Sequence, residues 1–241
     1  MARPKQRFRV CLRRIMVTGL VGLVLLPALL IIPLRWLAPP TSSFMLQARF
    51  GGLGKAPACA RVQQEWIPWE DIAEPPRLAV VAAEDQRFPH HWGFDFSAIG
   101  QALEDRMQGE ALRGASTISQ QVAKNLFLWP GRSLLRKGLE AYLTVWIELA
   151  WPKRRILEIY LNTAQFGPCT FGVAAAATRT FGHSASRLSW AQAARLAAVL
   201  PNPNAFDLRA PSPYLRERAR WIEAQMQRLG GATYLDGLDR R

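Results

Sequence analysis

Two carboxylates set among helical, apolar sequence, with a group of cations near them in the chain, are the residues best suited to chemistry here. Glu84 follows the apolar run Leu78-Ala79-Val80-Val81-Ala82-Ala83. It therefore sits at the end of a core element, where solvent is scarce. Its pKa should rise there, and it can serve as a general base. On Glu84 alone, an acidic helix end in water is the stronger reading. The neighbours change that balance. Asp85, Phe88, His91 and Gly93 follow directly. Gly114 and Ser116 then mark a helix start, with Ser116 as a cap and Ser119, Gln120, Gln121, Lys124 and Asn125 in the turns behind it. Gln120 and Lys124 share a helix face. Arg136, Lys137 and Glu140 are three or four apart on a further helix. Two carboxylates flanking a sugar bond are the working parts of glycosyl chemistry, and the cations suit a diphosphate. Taken without the other groups, Arg136, Lys137 and Glu140 read as a solvated, salt-bridged helix face.

The elements that must position these residues are helical in period from Pro76 onward. The spacing predicts helices over 77–86, 96–107, 116–127, 133–150, 153–163, 171–181, 189–199 and 212–229. Leu135, Leu139, Tyr142, Leu143, Trp146 and Leu149 mark the expected buried stripe of the fourth, which Pro130 and Pro152 bracket. Ser189 caps the seventh and Gly230 stops the last. No long β alternation occurs, so the fold class is mainly α. Residues 65–241 suffice for one core.

The N-terminus is organised differently. Residues 1–14 form a basic tail with Arg3, Lys5, Arg7, Arg9, Arg13 and Arg14 and no acid. Residues 15–34 carry no charge and are long enough, as a helix kinked by Pro27 and Pro33, to span a bilayer. The basic flank places the N-terminus in the cytoplasm. A cleaved signal peptide is the rival, but its apolar region would be shorter. The chain has net charge +13; residues 1–35 hold seven basic groups and no acid, and the remaining 24 basic against 18 acidic residues leave +6. A basic domain outside the membrane suits anionic lipid or a phosphate-bearing substrate, although ordinary solubility charge would look the same. No nucleic-acid-binding motif is present.

Residues 35–64, with Pro39-Pro40 and Gly51-Gly52, read as a linker or partly ordered membrane-proximal segment. Trp66 and Trp69 suit either a membrane interface or the core. Of three cysteines, Cys59 and Cys169 can pair in an oxidising compartment, but two cysteines do not make a disulfide framework. No Cys/His spacing suggests a metal site.

The ordered motifs resemble the glycosyltransferase 51 family of peptidoglycan glycosyltransferases, in its monofunctional, membrane-anchored form. The family pattern E-D-x-x-F-x-x-H-x-G is met by Glu84, Asp85, Phe88, His91 and Gly93. G-x-S-T-I-x-Q-Q-x-x-K-N is met from Gly114 to Asn125, and R-K-x-x-E by Arg136, Lys137 and Glu140. K-x-x-I-L-E-x-Y-L-N is met by Lys153, Ile156, Leu157, Glu158, Tyr160, Leu161 and Asn162. The likeness covers roughly residues 65–205, closing on a weaker block from Ala193 to Pro203. In place of the family's glycine-rich turn with Tyr, this chain has Phe166-Gly167-Pro168-Cys169-Thr170-Phe171-Gly172.

The resemblance implies a lysozyme-like, two-lobed helical domain behind a single transmembrane helix, in the cytoplasmic (inner) membrane with the domain on its outer side. Residues 107–114 would be a mobile loop of the membrane-facing lobe. The substrate would be lipid II, polymerised into β-1,4 glycan with inversion and release of undecaprenyl diphosphate. Glu84 would be the base. Glu140 would assist the leaving group or organise cations. Asp85, Phe88, His91, Ser116, Gln120, Gln121, Lys124, Asn125, Arg132, Arg136 and Lys137 would line the substrate site, with Lys124 and Arg132 foremost on the diphosphate. No cofactor is required, with room for magnesium or another divalent cation on the diphosphate. Further partners would be the growing lipid-linked glycan, the membrane and other cell-wall synthesis proteins. No Ser-x-x-Lys occurs, so no transpeptidase activity is expected. A lysozyme-like hydrolase, which would not need the cationic cluster, and a non-catalytic anchored scaffold are the alternatives.

Overall fold

The computed structural model describes residues 4–51, 58–107, 116–131 and 133–238. Its chain falls into two units, Met1–Leu37 and Ala38–Arg241. The first is dominated by α1 (Pro4–Ile31), which continues through Pro27 and ends just before Pro33 opens a short 3₁₀ turn. Residues Met16–Arg35 are long and apolar enough to cross a membrane, with a mean hydropathy of 2.5.

The second unit holds α2 (Ser43–Phe50), α3 (Glu74–Glu84), α4 (Phe96–Met107), α5 (Ile118–Phe127), α6 (Leu134–Ala150), α7 (Lys153–Thr163), α8 (Val173–Phe181), α9 (Trp190–Ala197) and α10 (Pro213–Arg228). The mainly helical expectation holds, and the predicted helices lie within a few residues of these. α2 is the addition: its eight residues carry no sustained period, yet Ser42 caps it by accepting from the Met45 amide at 3.1 Å. It packs on α5, so this part of the 35–64 stretch is structured. A small sheet adds β1 (Gln63–Gln64), β2 (Gln165–Gly167) and β3 (Thr170–Phe171) in the order β1-β3-β2, with β1 parallel and β2 antiparallel to β3. Cys59 and Cys169 are disulfide-bonded across 110 residues. The mobile-loop expectation at 107–114 falls, beyond Met107, outside the described residues.

The core forms where α3 meets α9 and α10, and where α5 lies against α6 and α7. Leu78, Val81, Ile118, Val122, Ile156, Ile159 and Leu196 are fully or almost fully buried. Pro75 and Pro76 fit the first turn of α3, where a missing N–H costs nothing. Trp66 and Trp69 are neither core nor open surface: Arg155 lies over Trp66 at 5.3 Å and Arg77 over Trp69 at 4.0 Å.

One expectation is met only in part. Of the predicted buried stripe of α6, Leu139, Tyr142, Leu143 and Trp146 are half-buried, whereas Leu135 and Leu149 are 71 and 70 % exposed, as is neighbouring Leu134 at 92 %. The buried residues are Arg136, Glu140, Thr144, Ile147 and Glu148. The helix period is legible, but the most deeply buried positions are largely polar, and the leucines at the two ends of the helix are exposed. The polar stripe is affordable inside because its groups are paired with one another and with their neighbours.

Candidate active site

α3 ends by presenting Glu84, whose side chain is 14 % exposed. Gln121 Nε2 on α5 donates to Glu84 Oε2 at 2.9 Å. The buried Tyr160 hydroxyl on α7 donates to Gln121 Oε1 at 3.2 Å, which fixes the amide so that its NH₂ faces the carboxylate. Burial holds the Tyr160 phenol well above its usual range, and the carboxylates of Glu84 and Asp85 push the same way, so it stays a donor. Arg218 on α10 brings a guanidinium to 3.8 Å from Glu84 Oε1. Burial raises the Glu84 pKa and the Asp85 charge adds to that; the Gln121 hydrogen bond, Arg218 and Lys124 offset part of it. A base so placed is poised nearer neutrality than a surface carboxylate.

Across from it lies the cationic corner. Glu140 Oε2 accepts from Arg136 Nη1 at 2.6 Å, and Oε1 accepts from Lys137 Nζ at 2.5 Å. Lys137 Nζ also donates to Ser116 Oγ at 3.3 Å. Lys124 belongs to both corners: its ammonium feels Glu84 and Glu140 on one side of the balance and Arg136 and Lys137 on the other. Burial, the largest cause, lowers its pKa, with Arg136 and Lys137 adding to that. Arg132 lies outside the described residues. Glu84, Ser116, Gln121, Lys124, Arg136, Lys137 and Glu140 are thus brought together from α3, α5 and α6 and the turn before α5.

Five residues grouped with them in the sequence lie beneath this surface. Asp85 accepts from His91 Nε2 at 2.9 Å and from the Ile118 amide at 2.9 Å. It therefore fixes the start of α5 to the end of α3. Phe88 is fully buried with Lys153 over its ring at 4.5 Å. Gln120 is used in the capping box of α5, whose N-cap is Thr117 rather than Ser116. His91 and Asn125 are each 8 % exposed. Asp85, Phe88, His91 and Gln120 thus hold parts of the protein together around the site. The reason is local: a motif supplies both the reacting groups and the groups that hold them.

The sequence reading missed several of those supports. Thr117 Oγ1 donates to the Gly93 carbonyl at 2.7 Å. Gly93 has φ +77°, and a Cβ there would come within 2.7 Å of Thr144, so only glycine lets the loop lie on α6. Ser119 Oγ at 2.5 Å and Lys153 Nζ at 2.7 Å both donate to Glu148 Oε1, a buried group locking α5, α6 and the start of α7 together. Lys153 and Tyr160 stood in a recognised motif without an assigned role. Arg218 stood in none; only its place on α10 brings it to Glu84.

Among the described residues no three His, Cys, Asp or Glu side chains converge as metal ligands. Both oxygens of Glu140 are already taken by Arg136 and Lys137.

A family model described as Transglycosylase matches residues 53–227. The chain is 50 % identical over 222 residues to the biosynthetic peptidoglycan transglycosylase of Ectopseudomonas mendocina (strain ymp), covering 92 % of this chain and 91 % of that protein. It is 50 % identical over 231 residues to the protein of the same name from Xylella fastidiosa (strain M23), covering 96 % and 94 %. For the namesake of Chromohalobacter salexigens the identity is 49 % over 225 residues, covering 93 % and 96 %.

Proposed function

Because the chain belongs to the transglycosylase family and is a peptidoglycan glycosyltransferase, we propose that Glu84 is its catalytic base and that Lys124, Arg132, Arg136 and Lys137 form the side that receives the leaving diphosphate. The enzyme polymerises lipid II. The acceptor sugar hydroxyl gives its proton to Glu84 as its oxygen attacks the donor's anomeric carbon. The bond from that carbon to the diphosphate oxygen breaks, and the electron pair leaves with undecaprenyl diphosphate. Attack from the opposite face inverts the centre.

The observation that carries this assignment is the contrast around Lys124. One carboxylate, Glu84, is bonded to a neutral amide and has an oxygen within reach of only a more distant guanidinium. The other, Glu140, is closed by two cations. Of the two roles open to Glu140, this favours organising the cations over protonating the leaving group. Charge building on the diphosphate then meets prearranged ammonium and guanidinium groups, which strengthens these contacts in the transition state. We assign no resident metal; a divalent cation would have to be carried by the diphosphate itself.

The apolar helix at Met16–Arg35 fits a single-pass membrane anchor. We propose the inner membrane as its location, with the basic tail inside and the domain outside. The exposed Leu134, Leu135 and Leu149 of α6, with exposed Phe96 and Met107 of α4, are the residues we assign to the bilayer. A lipid-linked substrate would then reach the site without leaving the membrane surface.

The test is lipid II polymerisation by the purified chain in detergent, beside cleavage of finished, phosphate-free glycan. Polymer from wild type, blocked by moenomycin and absent with Glu84→Gln, is the expected outcome. Efficient cleavage of finished glycan would replace the transferase with the hydrolase reading. Labelling by a fluorescent penicillin would refute the absence of a transpeptidase function.

A further inference from the structure

The segment between the anchor and the recognised motifs ends up against the cationic corner. α2 lies on α5, and Gln47 Nε2 donates at 3.1 Å to the carbonyl of Leu128, the residue closing α5. The Phe44 ring faces Lys124, with Nζ 5.5 Å from its centroid. Met45, Ala48, Cys59 and Phe171 form one buried apolar cluster, and Phe44, Val62 and Cys169 pack against it. The Cys59 amide donates to the Ala48 carbonyl at 2.7 Å, and its sulfur is bonded to Cys169. Cys169 lies in the β2–β3 turn with φ +56°. Besides the disulfide and that apolar cluster, this end of the segment is joined to the sheet by the two-residue β1 and the Gln63 amide, which donates to the Cys169 carbonyl at 2.8 Å. A strand that short is a weak attachment by itself.

We propose that Phe44 is a further residue of the diphosphate site, holding the Lys124 ammonium in place from α2, and that the Cys59–Cys169 disulfide holds the helix that carries it. This rests on the assignment of Lys124 to the diphosphate. An aromatic face attracts an ammonium but has no anion to compete with or repel a phosphate. A lysine side chain is long and flexible, so a ring on one side limits its rotamers and leaves N–H groups free to meet the substrate on the other. The ring also favours the charged form of an amine that burial disfavours. Phe44 is thus a positioning residue acting through Lys124. The disulfide is the covalent link between its helix and the hairpin after α7, and it makes the affinity of the site depend on oxidation. An exported domain is where such a bond persists.

The experiment uses the full chain in detergent. It measures the dissociation constant of undecaprenyl diphosphate together with KM and kcat for lipid II. Phe44→Ala should weaken binding and raise KM by about threefold to fivefold, the range of one partly exposed cation–π contact, with kcat within about twofold. Phe44→Tyr should restore wild-type values, whereas Phe44→Leu, apolar but without a ring face, should behave like alanine. Dithiothreitol, oxidised to its cyclic disulfide as Cys59 and Cys169 become thiols, should produce the same loss in wild type and no further loss in Phe44→Ala. Cys59→Ala with Cys169→Ala, checked for an intact thermal transition, should match the reduced protein. Full recovery with leucine would overturn the role of the ring. Additive effects of reduction and Phe44→Ala would overturn its link to the disulfide. A wild type that binds the lipid diphosphate but makes no polymer would break the transferase reading and leave this assignment standing; one that binds none would overturn the assignment itself.

Discussion

Glu84 and Glu140 are the same side chain in two corners of one site, and their surroundings make them different groups. Glu84 ends a helix of the apolar core and meets an amide, with a guanidinium farther off. Glu140 lies within a helix, 2 % exposed, with a cation on each oxygen. The first is left able to take a proton. The second is spent as a counter-ion that keeps two cations close together beside a third. A pair of catalytic-looking carboxylates is therefore not two acids, and the difference is set by what each is bonded to.

The largest test of this contrast is Glu84→Gln. It keeps the shape and the Gln121 neighbour but cannot accept a proton, so polymerisation should fall by about a thousandfold or more with little change in melting temperature. Glu140→Gln should differ in kind. It leaves the buried Arg136 without its anion, so lipid II turnover should drop about a hundredfold and stability by up to about 3 kcal/mol, read by thermal or urea unfolding. A Glu140→Gln enzyme with an unaltered melting curve and a loss as deep as that of Glu84→Gln would erase the distinction. Lys124→Ala should also cost on the order of a hundredfold in turnover, but without the loss of stability.

Arg218→Met sharpens the base side. In the proposed mechanism Glu84 works as the carboxylate, and Arg218 holds its pKa down against burial. Removing that charge should move the acidic limb of kcat/KM to higher pH, while activity well above the limb approaches wild type. Arg218→Lys should return part of the shift. Equal loss at every pH would make Arg218 a structural or substrate-binding residue instead. On the opposite limb, the proposed diphosphate contact of Lys124 predicts that activity falls as pH rises through its lowered pKa and the ammonium is lost. The smallest effect concerns the surface around the site. Leu134→Gln with Leu135→Gln should lower polymerisation on lipid bilayers several-fold and leave it almost unchanged in detergent.

Much of this molecule is written in contiguous sequence. The reach and apolarity of residues 15–34, the helix periods from Pro76 onward, the cap at Ser189 and the four ordered motifs all depend on residues near one another in the chain. Local propensity and spacing carry such features, and they were legible. Three things depended on residues far apart and were settled only by folding. Arg218 reaches Glu84 from another helix, Cys59 joins Cys169 across 110 residues, and Phe44 reaches Lys124 from a stretch that reads as linker. The orientation of α6 is the plainest case. Its period gives two stripes, and the usual rule turns the apolar one inward. Here Arg136 and Glu140 pair with each other, Ser119 of α5 and Lys153 of α7 bond Glu148, and the loop at Gly93 packs on Thr144, so these four are buried while Leu134, Leu135 and Leu149 are exposed. Periodicity states that a helix has two faces; which of them meets the core is decided by the groups that other parts of the chain bring to it.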